Sequence, residues 1–388
     1  MPDCADSLTD NSCSNMSSVI VLTGYFIMEQ KAIIKRTATR IGITVLGLLL
    51  LKLLFAVSDD FAHFYFHRFY IWISAVFRRV TGIVPFSVGD LIYTAWVVTA
   101  VIFLLKLCYK MIRARWQEAG LHLLRGLAFV LSVYLAFLVL WGYNYRRHSP
   151  AKELGLQVKP YTTAQLYRLA DTLVQQVNGY KAALGDTLGV TPPDRDSAQI
   201  FRRAIQAYRK AETQWPSLHY EYPSIKPALF GRWLNYMGVT GYLNPFTNEA
   251  QVNTTTPFFM RPFTTCHEIA HQLGYAPEET ANFIGYLAAS QAQDVRFRYA
   301  AHFEMFLYST GQLSRRDTAL ARQVWERAVP GVKADYRVLT DFYKAYRGPL
   351  DDYSQLIYDQ YLKANKQEKG IYSYSEVVGW LIAYLRIQ

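Results

Sequence analysis

His267, Glu268 and His271 have the side chains and the spacing of the hydrolytic HExxH motif. On a helix, residues four apart lie on one face, a turn above each other, so both imidazoles can meet one metal ion. Glu268 is rotated off that line, which suits a base acting on a water held by the metal rather than a ligand. Catalytic zinc usually takes three protein ligands and keeps one position open for water, and the motif supplies only two. Five residues recur easily by chance, so the surrounding sequence has to supply the rest.

Downstream runs "QLGYAPEETANF", with two adjacent carboxylates, Glu278 and Glu279. The segment "RPFTTCHEIAHQLG" predicts a helix with Pro262 in its first turn and Gly274 as its terminator. The chain can reverse through Tyr275 and Ala276, and Pro277 can begin a second helix at once. Glu278 and Glu279 then fall in its first turn, where negative charge is favoured by the helix dipole whatever its function. A helix starting so soon after the break must also pack beside the first and can bring a carboxylate to the metal. Composition does not choose between the two glutamates.

The elements that must position these groups lie in a chain of 388 residues, 51% hydrophobic and 18% charged, too apolar for a disordered protein. From about Pro150 the composition becomes that of a soluble domain. "TTAQLYRLADTLVQQVNGYKAAL" (162–184) and "DSAQIFRRAIQAYRKAE" (196–212) have helical apolar spacing, with Thr162 a plausible cap. Turn-rich sequence follows, then short β-like pieces in "GVTGYLNPFTNEAQVNTTTPFF", broken at Asn244-Pro245, and helical patterns resume from about Pro262. The expected fold class is mainly α, a zincin-like α+β domain with a small strand region just before the HExxH helix. Within that region Asn248–Thr256 is placed to bind extended substrate by its main chain.

Other residues compete for roles. Tyr275, Tyr286, Tyr372 and Tyr374 can donate to a developing oxyanion, although with 29 tyrosines in the chain packing accounts for each equally well. His302 and Glu304 lie on a later helix and resemble ligands by type alone. His63 and His67, four apart in "FAHFYFHRFYIWISAVF" (61–77), form a conceivable second pair. With no carboxylate ligand following nearby, that segment reads as an amphipathic stretch lying at a membrane interface. Cys4, Cys13, Cys108 and Cys266 show no metal-binding spacing and no evident pairing.

Three apolar runs, at about 41–57, 91–112 and 123–143, approach membrane-spanning length and carry flanking aromatic and basic residues. They make residues 41–145 a membrane domain, behind a leader at 1–40 and ahead of the domain at 150–388. Met28 reads as a natural start, since "MEQKAIIKRTATR" is a basic leader running into the first apolar run. Basic residues concentrate before the first run and between the second and third. The positive-inside rule therefore puts the N-terminus in the cytoplasm and residues 150–388 outside. The net charge of +11 comes with no nucleic-acid reader motif, so the bilayer, not nucleic acid, explains it.

The pattern Glu278-Glu279-Thr280-Ala281-Asn282 resembles the downstream glutamate motif of gluzincin membrane metallopeptidases, including the HtpX-like and CAAX-prenyl-protease-like families. In that motif the glutamate three residues before the Ala is the zinc ligand, which implies Glu278. Those families place many more residues between the motifs than the seven positions from His271 to Glu278, and Asn282 stands where they usually have Asp. From the first span on, the chain is also similar to a family of uncharacterised bacterial membrane proteins with "NPFTNEAQVN"-like and "HEIAHQLGYAPEETANF"-like stretches.

The expectation is thus a three-span inner-membrane protein whose periplasmic domain is a zinc metallopeptidase. His267, His271 and Glu278 hold one Zn²⁺, Glu268 is the general base, and the substrate is a peptide or protein outside the cytoplasm. The competing expectation is a membrane-anchored binding or scaffold protein with structural zinc or none.

Overall fold

A computed structural model describes residues 10–185, 189–191, 196–364 and 375–388. Helices dominate, as the periodicity requires. The first long one, α1 (Asp10–Val57), is followed by a short α2 (Asp59–Phe64), a π-helical turn at Tyr65–Phe69 and α3 (Tyr70–Thr81). Two more long helices follow, α4 (Val88–Ile112) and α5 (Trp116–Leu140). Three stretches are long and apolar enough to cross a membrane: Met28–Val57 within α1, then α4 and α5. Their exposed Leu46, Leu49, Val97, Leu105 and Phe129 suit association with a bilayer. The third span is displaced from its expected bounds. It starts at Trp116 and ends at Leu140, because Trp141 and Tyr143 turn into a buried 3₁₀ turn at Gly142–Arg146.

The chain forms two compact units. One holds the chain up to Phe61 together with Trp96–Ala136. Within it α1 approaches α5 at Gly47, where an added Cβ would stand 3.4 Å from Leu135, and His122 stacks on Phe103 at 4.1 Å.

The other unit holds Ala62–Ala95 and Phe137–Gln388, so it begins well before the expected boundary near residue 150. A one-turn α6 (Pro150–Glu153) leads to α7 (Thr163–Ala183), which opens on a capping box between Thr162 and Gln165, and α8 (Ser197–Glu212) is capped by Asp196. Then come β1 (Ile225–Pro227), a short α9 (Gly231–Asn235), β2 (Gly241–Asn244) and β3 (Glu249–Val252). The sheet order is β1-β3-β2, with β1 parallel and β2 antiparallel to β3. The hairpin turn is set by Asn244, whose Oδ1 accepts from Phe246 and Thr247, and by Asn248 at φ +52°. β1 was not expected, since three residues ending in proline carry almost no strand signal.

Seven helices complete the unit: α10 (Arg261–Gln272), α11 (Glu278–Ser290), α12 (Val295–Arg316), α13 (Thr318–Glu326), α14 (Pro330–Tyr346), α15 (Pro349–Ala364) and α16 (Ser375–Tyr384). The core is built around α10, against which α8, α11, α12, β2 and β3 pack, with α7 and α16 laid on α12, and all twelve residues of α10 are buried. About 18 Å of helix without a solvent face is costly for polar side chains unless each is partnered. The HExxH helix is therefore the place where polar groups need a specific reason to be present.

Candidate metal centre

The helix carrying His267, Glu268 and His271 ends as the sequence predicts. Gly274 adopts φ +88°, its N–H donates to His271 O at 2.8 Å, and Tyr275 N–H donates to Ala270 O at 3.2 Å. This is a Schellman closure, and only a residue without a Cβ adopts that φ cheaply. The closure also places the Tyr275 carbonyl 2.8 Å from His271 Nδ1. Nδ1–H is fixed there as a donor, which leaves Nε2 free to accept a metal.

Pro277 precedes α11, so Glu278 is its first residue. The face bearing Glu278 also bears Ala281, Asn282 and, two turns on, Gly285. At Gly285 an added Cβ would lie 3.1 Å from both Cα and N of His267. The absence of a side chain there lets α11 lie against α10, and that close packing carries the Glu278 carboxylate to the histidines. Glu278 Oε2 is 3.2 Å from His267 Nε2, and Oε1 is 3.6 Å from His271 Nε2. One ligand atom from each of the three lies within 4.8 Å of the others. Glu279, one residue on and buried, is not part of that group.

Burial alone pushes His267 down, but the hydrogen bond and charge of Glu278 raise it to about 9, with Asn282 adding in the same direction. Glu278 is raised by burial and carried well below the usual carboxylate range by the two histidines. Glu268 is 2% exposed, and burial pushes its carboxyl up to about 7 against the charges of His267 and His271. Its backbone neighbour is Gly241, the first residue of β2: an added Cβ there would meet Glu268 Oε1 at 2.5 Å. Edge strand β2 thus runs directly past the carboxylate.

The donor set fits zinc. Nitrogen and oxygen ligands about 2.0–2.1 Å from a tetrahedral zinc stand about 3.4 Å from one another. The separations of 3.2 and 3.6 Å bracket that value. Two neutral imidazoles and a carboxylate are the three-ligand set of open zinc sites rather than of closed structural ones.

The remaining candidates are distributed elsewhere. Tyr275 donates to Glu153 at 3.1 Å and lies under the Arg147 guanidinium at 4.0 Å, and Tyr286 packs in the core beside His302. Neither lines the cleft at the cluster, and Tyr372 and Tyr374 lie outside the described residues. His302 is buried with Nδ1 2.7 Å from Arg298 O, and burial lowers it to about 4. Among the described residues no third ligand joins His63 and His67, whose rings stand 4.5 Å apart. Asn248–Thr256 contains the central strand β3, paired on both sides, so its main chain is already used; the edge strands are β1 and β2, and of these β2 runs past Glu268. Cys266 is buried and unpaired.

Glu304 does approach the cluster. A cleft of about 200 Å³ opens at His267 and Glu278 and is lined further by Thr240, Asn282, Glu304, Tyr308 and Tyr343.

Residues that the motif did not suggest support the helix from behind. The segment expected to lie on a membrane surface buries Tyr65, Phe66, Tyr70 and Ser74, with Arg78 just beyond it, and leaves Phe64, Ile71, Trp72 and Val76 exposed. Ser74 Oγ and Arg78 Nη1 donate to Gln272 O at 2.9 and 3.0 Å, and Arg147 Nη1 donates to Leu273 O at 2.9 Å. Two guanidinium groups thus meet the negative end of the HExxH helix. Trp141, just past the third span, sets its ring edge-to-face with His271 at 5.9 Å.

Fold and site together define a mainly helical, membrane-associated protein with a largely buried His–His–Glu cluster beside a second carboxylate, Glu268. A family described as a protein of unknown function, DUF3810, has a model that matches residues 65–382, and the chain belongs to that family. No curated protein and no solved structure matches the chain.

Proposed function

We propose that this protein is a membrane-anchored zinc metallopeptidase. The observation that carries the reading is the convergence of His267, His271 and Glu278, one ligand atom from each within 4.8 Å of the others, with Glu268 buried beside them. The resemblance of "HEIAH" and "EETAN" to gluzincin motifs supports the same ligand set.

A zinc ion bound there supplies Lewis acidity to a water and to the scissile carbonyl. His271 is held for this by the Tyr275 carbonyl, and Glu278 by the close crossing of α10 and α11. Glu268 takes a proton from the attacking water as the new C–O bond forms, and passes it to the leaving nitrogen as the C–N bond breaks. Burial raises its affinity for that proton to near neutrality, where a group can both accept and release it. An extended peptide can add to the free edge of β2, whose first residue touches Glu268, and this presents its carbonyls along the site.

The cleft faces the side of the membrane holding Phe137–Gln388. Positive charge before the first span and between the second and third puts that side outside the cytoplasm. The substrate is accordingly a peptide or protein outside the cytoplasm.

Expected outcomes separate the roles. Glu268→Gln keeps zinc and loses at least about 10³-fold in turnover. Glu278→Ala loses zinc, whereas Glu279→Ala keeps it. Metal content by mass spectrometry on the purified full chain, with hydrolysis of a peptide library, reads all three. Zinc retained in Glu278→Ala and lost in Glu279→Ala would overturn the ligand assignment.

A further inference from the structure

Glu304 lies on α12 and lines the cleft that opens at His267 and Glu278. Tyr308 hydrogen-bonds its carboxyl group, but Oε2 is shielded from solvent and has no hydrogen-bond partner. A carboxylate oxygen in that position loses its hydration without compensation unless something enters to meet it. The wall does not provide a free one: among the described residues no Lys or Arg lines the cleft, and the imidazole whose charge reaches Glu304, His267, is already engaged by Glu278. Tyr343, its hydroxyl kept neutral first by burial and then by the Glu304 charge, lines the same cleft as Tyr308, so two phenol rings accompany the carboxylate. A negative oxygen beside aromatic rings is the chemistry that recognises an organic cation. At about 200 Å³ the cleft suits one residue of a larger ligand rather than a whole small molecule.

We propose that this cleft is a subsite for a cationic amine or guanidinium of the substrate, bound by the Glu304 carboxylate next to the reacting bond. The proposal rests on the peptidase reading and deepens it. The cation is either the substrate's N-terminal amine or a Lys or Arg side chain beside the scissile bond. The uncompensated oxygen then gains a charge-assisted partner only when a correctly charged substrate is in place.

Binding tests it without requiring turnover. Zinc-loaded full-length Glu268→Gln protein in detergent is titrated calorimetrically with amidated alanine hexapeptides. Each carries one Lys or one norleucine, scanned through the six positions, and has a free or acetylated N-terminus. The expected result is at least about tenfold tighter binding of the cationic member of one such pair. Dependence on acetylation assigns the N-terminal amine, and dependence on Lys at one position assigns the side chain. Adding Glu304→Gln removes the difference while zinc content is kept, and Glu304→Asp, which retains the charge, restores part of it. Equal binding of cationic and neutral peptides, or a preference unchanged by Glu304→Gln, would overturn the subsite. Glu304-dependent binding in a wild-type protein that hydrolyses none of these peptides upholds the subsite and overturns the peptidase reading alone.

Discussion

Glu268 fits where it does because residue 241 has no side chain. With Oε1, Cδ and Cγ of Glu268 all within 2.9 Å of where a Cβ would stand, Gly241→Ala must push the carboxylate or the strand aside. A displacement of about 1 Å at a reacting group costs on the order of 10²-fold in rate. The expected outcome for Gly241→Ala is therefore a loss of that size in turnover with zinc content intact, read by kinetics alongside metal analysis. Unchanged turnover would show that Glu268 takes no part. Two such contacts differ in how they could have been found. Gly285 was available to inspection, because it stands seven residues from Glu278 on the same helix face. Gly241 had no signal at all, since its closeness to Glu268 arises from the path of a strand and not from spacing along the chain.

At the scale of elements, the HExxH helix is held at its C-terminal end by parts of the chain far away in sequence. Gln272 is fully buried: Tyr220 donates to its Oε1 at 2.6 Å, and its Nε2 donates to the carbonyls of Ser224 and Asn248 at 2.9 and 2.6 Å. It ties α10 to the ends of β1 and β3 in the same way that Ser74, Arg78 and Arg147 tie it to the segments around the spans. Gln272→Leu keeps the volume and strands three buried polar groups, so about 3 kcal/mol or more of stability should be lost. Chemical denaturation of the detergent-solubilised protein measures this, and a loss under about 1 kcal/mol would show that the lock is dispensable. The sequence predicted both ends of α10 and the start of α11, because capping and breaking are local. It left unread the contacts on the buried side of α3, since an aromatic amphipathic helix has the same pattern whether its apolar face meets lipid or protein.

For the whole molecule, the proposed orientation, with all three apolar helices crossing a membrane, expects Arg79 and Arg322 outside the cytoplasm and Arg113 inside. In a cysteine-free background, Arg79→Cys and Arg322→Cys should both react with an impermeant thiol reagent applied to intact cells, and Arg113→Cys should not. Labelling of only one of the first two would break the arrangement. Acid stability follows from His302, held neutral by burial with its value lowered to about 4. Between pH 6.5 and 4 the unfolded chain takes up a proton that the folded chain refuses, so this contribution is present above pH 6.5 and is lost as pH falls to 4. It amounts to about 3 kcal/mol. His302→Gln should flatten the fall in stability over that window relative to wild type, and parallel denaturation curves for the two proteins would exclude it.

The sequence by itself determined the mainly helical class, the three apolar helices, the HExxH helix with its glycine stop, and the second helix opening on two glutamates. Each depends on contacts between residues no more than a few turns apart, which periodicity and capping record directly. Tertiary structure alone decided that Glu278 and not Glu279 joins the histidines, that β2 and not β3 offers the free edge, and that Trp141, Arg78 and Arg147 brace the site. It also decided that Glu304 shares the cleft at the cluster. Those relations depend on how separate elements cross, and a crossing is set by packing volume and burial over the whole unit, which no local stretch of chain encodes.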